Sequence, residues 1–254
     1  AVLNGRVLIE GVQDVKLIGR GIIDYKVKGG IRIANSRNVL VEGIATTQCA
    51  TGGSDAVTIR NVKAISYYGW GDGMNVFASN NVLFDGVFCR NSDDCTTVYG
   101  TRLGFKGGCK HVTMQNSTLW ADVAHPIFIG IHGDTKNPEV LEDLNYVNIE
   151  ILDHREKQLN YQGCMSINAG DNNLVPMSVL KISAWRISVK AHWSICVFSI
   201  IRSIVRHRDG VLKISRLKMS LMKETGLSCL LSRDMTRRGK SGTCVSRTCA
   251  STDS

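Results

Sequence analysis

The 254-residue sequence predicts an all-β chain wound as a β-helix over residues 1–175, and three observations carry that expectation. Short apolar-alternating segments closed by Asn or Gly recur at residues 14–19, 38–44, 56–62, 81–87, 111–116 and 144–149. The second residues of the first five copies are Val15, Val39, Val57, Val82 and Val112, at intervals of 24, 18, 25 and 30. That spacing is too irregular for leucine-rich repeats and too short for propeller blades; it suits coils of three short strands joined by loops of variable length. Residues 1–175 also hold 16 Asn and 21 Gly, the types that supply tight, often left-handed turns. Finally, only 3 prolines occur, as expected where nearly every backbone N–H joins a parallel ladder.

Within each copy the alternation turns one set of Val, Leu and Ile inward, to stack on the same position of the next coil. Helix is expected to be scarce, with one turn over residues 138–144. Nine cysteines without a C-x-x-C pair argue against zinc-ribbon or thioredoxin-type sites. Cys89, Cys95, Cys109 and Cys164 are expected as buried thiols, with one or two disulfides as the alternative. Asn116-Ser117-Thr118 matches a glycosylation sequon, relevant in a eukaryotic secretory setting. The first residues already read as strand and no initiator Met precedes them, so the chain is expected to be a fragment of a longer solenoid.

The net charge of +9 suggests nucleic acid until the chain is divided. Residues 1–175 carry 16 Lys+Arg against 18 Asp+Glu, whereas residues 176–254 carry 15 against 4. All the basicity sits in the second part, so no nucleic-acid partner is expected for the first. No membrane span is expected either: the apolar stretch 193–205 is short and Arg202 interrupts it. Residues 176–254 hold no Asn, 4 Gly and 14 Ser, a composition without the turn residues of the repeat. The expected domain boundary is therefore Val175, with 176–254 outside the β-helix. Two origins fit that segment: a basic disordered extension, or a shifted reading frame. The second is suggested by the recurrence of Leu180-Lys181-Ile182-Ser183 and Trp185-Arg186-Ile187-Ser188, both of which a neighbouring frame can turn into Glu-Asp-Ile.

The chemistry concentrates in residues 70–95. One turn of a coil would bring Asp72 beside the pair Asp93-Asp94. Glycosidic hydrolysis needs such a set: one protonated carboxyl for the leaving oxygen and an ionised one to activate water or attack the sugar carbon. Adjacent acids push each other's proton affinities apart and so take opposite roles. A solvated turn is the ordinary alternative for Asp-Gly or Asp-Asp alone. The aromatic run Tyr67-Tyr68-Gly69-Trp70 beside Asp72 favours a sugar site, because sugar C–H faces stack on aromatic rings.

The segments Gly71-Asp72-Gly73, Asp93-Asp94-Cys95 and Ala124-His125-Pro126-Ile127 resemble the polygalacturonase group of glycoside hydrolases and its dextranase and isopullulanase relatives. The likeness extends upstream through residues 18–24 and 33–39 and covers roughly residues 1–175. It implies a right-handed parallel β-helix of the pectin-lyase-like kind, an inverting polysaccharide hydrolase, polygalacturonase-like or dextranase-like and associated with cell-wall degradation, and a secreted or periplasmic location. Carried over residue by residue, Asp93 is the general acid, Asp94 and Asp72 hold the attacking water, and His125 hydrogen-bonds the acid. Trp70, Asn75, Tyr99, Asp122 and His132 are the expected substrate-binding residues. No cofactor and no metal are implied. The family's R-I-K cationic motif is missing: the comparable segment reads Gly163-Cys164-Met165-Ser166-Ile167-Asn168. A neutral glycan is then at least as well suited as a pectin. A lyase on the same fold and a non-catalytic glycan-binding β-helix are the alternative functions, and uncapped coil ends predict impaired activity for this chain.

Overall fold

The computed structural model describes residues 1–25, 29–156, 163–176, 180–187, 198–201, 220–222 and 228–230. Its strands follow one another around a coil. The first turns are β1 (Val2–Asn4), β2 (Val7–Glu10), β3 (Gln13–Ile18), then β4 (Ile22–Asp24), β5 (Ile31–Ala34), β6 (Arg37–Glu42). Next come β7 (Ala45–Thr46), β8 (Cys49–Gly52), β9 (Asp55–Arg60), then β10 (Lys63–Ile65), β11 (Met74–Phe77), β12 (Asn80–Asp85). The later turns are β13 (Phe88–Asn91), β14 (Thr96–Tyr99), β15 (Cys109–Ala121), β16 (Ile127–Gly130), β17 (Glu139–His154), β18 (Met165–Asn168), β19 (Asn173–Leu174), β20 (Leu180–Ile187) and β21 (Phe198–Ile201). From β4 through β14 each strand pairs in parallel with the strand three places before it, and beyond it coil still stacks on coil in parallel, as in β14-β16-β18-β21, so the fold is a parallel β-helix. One face is the 8-stranded sheet β2-β5-β8-β11-β14-β16-β18-β21. The 13-stranded sheet supplies the other two faces, because β15 runs through a corner: its first part pairs with β12 and its last with β13.

The repeat seen in the sequence is the ladder itself. Val15, Val39, Val57, Val82, Val112 and Leu144 are successive register partners. From Val39 onward they are all buried, and each such side chain stabilises the fold by about 1.5–3 kcal/mol relative to exposure. The residue ahead of each one, Asp14, Asn38, Ala56, Asn81, His111 and Asp143, has φ between 51° and 59°. This left-handed corner explains the Asn and Asp in that column, whose short polar side chains tolerate it best. A second corner carries Gly43, Asn61, Gly86, Asn116 and Asn148, also at positive φ. Side-chain amides tie successive rungs there, Asn148 Nδ2 donating to Asn116 Oδ1 and Asn116 Nδ2 to Asp85 Oδ1, both at 2.9 Å. Inside, Ser36, Ser54 and Ser79 form a buried column in which Ser54 Oγ accepts from Ser36 N–H at 3.1 Å and Ser79 Oγ from Ser54 N–H at 3.0 Å.

Two expectations change, and the cysteines follow theirs. No helical turn forms over 138–144, where β17 begins and Leu141 is buried against its partner Cys109. Cys49, Cys89, Cys95 and Cys109 are thiols outside any disulfide, and Cys164 is buried with them in the core; burial pushes Cys49 and Cys109 up to about 12. The ladder also passes Val175. Strand β20 pairs with β17 in parallel, Leu180 on Leu144, Ile182 on Tyr146, Trp185 on Ile149 and Ile187 on Ile151, and β21 pairs with β18. The apolar spacing of β17 is thus repeated in β20 without any Asn. A short antiparallel pair, β22 (Ser220–Met222) with β23 (Ser228–Leu230), follows, and the remainder of 176–254 lies outside the described residues.

Ile59 is fully buried in the stacked column, whereas its neighbour Arg60 is exposed and paired with Glu42. Ile59→Ala is expected to cost about 2–5 kcal/mol and Arg60→Ala less than about 1 kcal/mol. Urea denaturation of both variants checks the inward register; equal losses would contradict it.

Candidate active site

The site lies on the outer side of the 8-stranded face, at the turns that enter it. Asp72, Asp94 and His125 each stand two residues ahead of a first paired residue, Met74, Thr96 and Ile127, which are successive register partners. The ladder continues into these turns: Gly73 N–H donates to Asp94 O at 2.9 Å and Cys95 N–H to His125 O at 2.8 Å. The three side chains therefore occupy one column on consecutive rungs, about 4.8 Å apart by strand spacing. Asp93 and Asp94 sit in the bend before β14, outside the strand, so the alternation of strand faces does not separate them. Gly73 is required here, because a Cβ would lie 2.4 Å from the Cys95 carbonyl oxygen and from Asn91 Oδ1.

Hydrogen bonds fix the acids. Asp72 Oδ2 accepts from Asn75 Nδ2 at 2.8 Å, and Asn75 is itself buried in β11. Asp94 Oδ1 accepts from both the backbone N–H and the ring Nδ1 of His125, each at 3.0 Å, which places a hydrogen on Nδ1. Tyr99 O–H reaches Asp94 Oδ2 at 3.4 Å. Asp93 Oδ1 accepts from Asp94 N–H at 3.0 Å. His125 is fully buried, its ring stacked on Phe128 at 4.9 Å. Behind it, burial and the neighbouring His125 hold the His154 imidazole below its ordinary value. The backbone N–H and the ring Nδ1 of His125 thus both hold Asp94, the residue one rung below it.

These groups line a cleft of about 710 Å³ that runs along the face. Trp70, Asp72, Asn75, Asp93, Asp94, Tyr99, His125 and His132 all reach it. Trp70 is 74% exposed and has φ 64°, in a 66–71 hood that Ser66 fastens through Gly71 O and Ser92 through Tyr68 O. Asp122 does not line the cleft. It accepts from Arg90 Nε at 3.1 Å, and Arg90 also lies over Trp120 at 4.3 Å. The register explains this: Asp122 follows β15 on the neighbouring face, directly above the rung that carries Arg90.

Four charged lining residues were not anticipated. Glu156, 9% exposed, adds a fourth carboxylate. Arg6, Arg32 and Arg102 bring cations to a cleft expected to have none. Arg32 lies over the Phe105 ring at 5.2 Å, and Phe105 packs on Gly52, where a Cβ would clash with the ring at 2.1 Å. Arg32 belongs to the outward row Arg32-Ala50-Asn75-Thr97-Phe128. Its outward position in β5 was the one signal for it in the sequence. Glu156 follows the end of β17 at a position that no motif marks, and Arg102 comes from a loop whose path sequence alone does not show.

A parallel β-helix with a carboxylate-lined groove on one face is what these features define. No protein-family model matches the chain, and no curated protein matches it. Among solved structures it is similar to an endo-xylogalacturonan hydrolase from Aspergillus tubingensis, with a TM-score of 0.45 and 12% identity, over 71% of this chain and 60% of that one. The chain spans about 60% of that protein's length, and the likeness is one of fold alone.

His132 packs edge-on to Tyr99 at 5.0 Å. Burial, and then the Arg102 guanidinium, hold its pKa below the ordinary 6.5, against the opposing pull of Asp171 and Asp94. The folded state therefore binds its proton later than the unfolded chain. The resulting stability is complete above pH 6.5 and is lost progressively as pH falls from there through the lower folded value. NMR titration should place the His132 midpoint below 6.5 and move it upward in Arg102→Gln; a wild-type midpoint at or above 6.5 contradicts the assignment.

Proposed function

We propose that this cleft hydrolyses glycosidic bonds of a polysaccharide by single displacement with inversion. The observation that carries the proposal is the column Asp72-Asp94-His125 on three successive rungs, with Asp93 beside it, in one open cleft walled by Trp70 and Tyr99. Asp93 gives its proton to the glycosidic oxygen as the bond to the anomeric carbon breaks. Water held between Asp72 and Asp94 attacks that carbon from the opposite side and passes a proton to a carboxylate. Solvent exchange then restores both groups. Inversion calls for carboxyl groups roughly 6.5–9.5 Å apart, a separation of the order reached across rungs about 4.8 Å apart with Asp93 offset by one residue. His125 is a positioning residue that aims Asp94. No metal or cofactor enters this scheme.

The cations favour an acidic glycan over a neutral one. Arg32 lies on the same outward row as Thr97 but three rungs away, about 14 Å by strand spacing, two to three sugar units from the acids. Together with Arg6 and Arg102 it suits carboxylate groups on a bound chain. That arrangement supplies from other coils the charge missing in Gly163 to Asn168.

Reducing-end release from pectins, dextrans and mixed glycans tests both parts. Wild-type protein should act on an acidic glycan, Asp93→Asn should lower the rate by at least about 100-fold, and Arg32→Ala should raise KM on the acidic substrate. Product carrying an unsaturated sugar, lost on chelation, would replace hydrolysis by elimination. Binding without product release, unchanged in Asp93→Asn, would replace it by a non-catalytic glycan-binding role.

A further inference from the structure

We infer that Glu139 is a positioning residue that holds the Arg102-bearing wall of the cleft in place. It is the first residue of β17, 9% exposed, and lies outside the cleft lining. Its carboxylate gathers four donors from two separate segments. Oε2 accepts from Thr101 N–H at 2.7 Å and Asp134 N–H at 3.0 Å. Oε1 accepts from Thr101 O–H and from Gly107 N–H, the latter at 3.0 Å. Thr101 and Gly107 are the two ends of the loop whose tip brings Arg102, Leu103 and Phe105 to the cleft. That loop is closed by a reciprocal backbone pair between Arg102 and Phe105, with Leu103 and Gly104 at positive φ.

The second segment carries His132. Asn173, paired in register with Glu139 and fully buried, donates from Nδ2 to His132 O at 2.8 Å. Gly100 N–H donates to the same oxygen at 3.0 Å. Close packing fits the anchor: a Cβ on Gly100 would lie 2.3 Å from Glu139 Oε2, and one on Gly133 2.5 Å from Asn173 Oδ1. One buried carboxylate thus ties together the loops presenting Arg102, Phe105 and His132, and it does so without touching the carboxylates at 72, 93 and 94. Its role is to set the distance from the cationic wall to those acids, hence substrate binding and not bond cleavage.

The inference rests on the proposed hydrolysis only for its kinetic arm. Glu139→Gln replaces one acceptor oxygen by an amide that faces two donors. Hydrogen exchange of the full chain should then speed up by at least about tenfold over 101–107 and 131–134, leaving strands β11, β14 and β16 protected. On the glycan that wild type cleaves, KM should rise about tenfold with kcat within about twofold, and Glu139→Asp should recover part of the loss. The milder Thr101→Val, which removes one donor, should give a smaller rise confined to the same segments. Faster exchange spread over the strands in both variants, or unchanged exchange at 101–107, overturns the inference, as does a fall in kcat at constant KM. If no glycan is cleaved, the functional proposal fails while the exchange result still decides the role of Glu139.

Discussion

The parallel backbone ladder is the interaction on which everything else depends. Each rung sits about 4.8 Å above the last, and the register carries a side chain at one position onto the same position of the next coil. Left-handed corners at Asn38, Asn81, Asn116 and Asn148 keep that register while loop lengths vary between them. Inside, the constraint yields apolar stacks and the serine column. Outside, it turns residues far apart in sequence into adjacent members of a column, which is how Asp72, Asp94 and His125 meet.

That dependence explains what was legible in the sequence. Val15, Val39, Val57, Val82 and Val112 announced the ladder because inward stacking demands apolar residues whatever the loop length. Asp72, Asp94 and His125 come from three sequence segments that can be aligned by eye because each stands at the same offset from a strand start, where the register carries over. Residues away from such offsets were not legible. Arg6, Arg102 and Phe105 reach the cleft from other coils or from a loop, and their meeting depends on chain paths that local pattern does not encode. Asp122 was misplaced because its distance from His125 in sequence is short, whereas a corner intervenes and directs it to Arg90. The passage of the ladder into β20 was missed because Asn and Gly were weighed above the apolar spacing of residues 180–187, which matches β17.

The ladder also divides labour across the cleft. Acids and the imidazole come from turns entering the face, where backbone N–H groups such as that of His125 can aim a carboxylate. Arg32 comes from strand β5, and Arg102 and Phe105 from the 101–107 loop, which is anchored apart from the acids. In the proposed mechanism the acids and these cations thus rest on different supports of one solenoid, so a change in one need not disturb the other.

In the proposed mechanism the acids on these stacked rungs act together as proton donor and water-holding pair. Proton NMR of the first sugar ends released from an acidic glycan tests this, because the two carboxylate schemes leave opposite anomers. The newly formed end should appear first with the configuration opposite to the bond cleaved, equilibrating afterwards. Retained configuration, or an unsaturated end in place of a hydrated one, would contradict it.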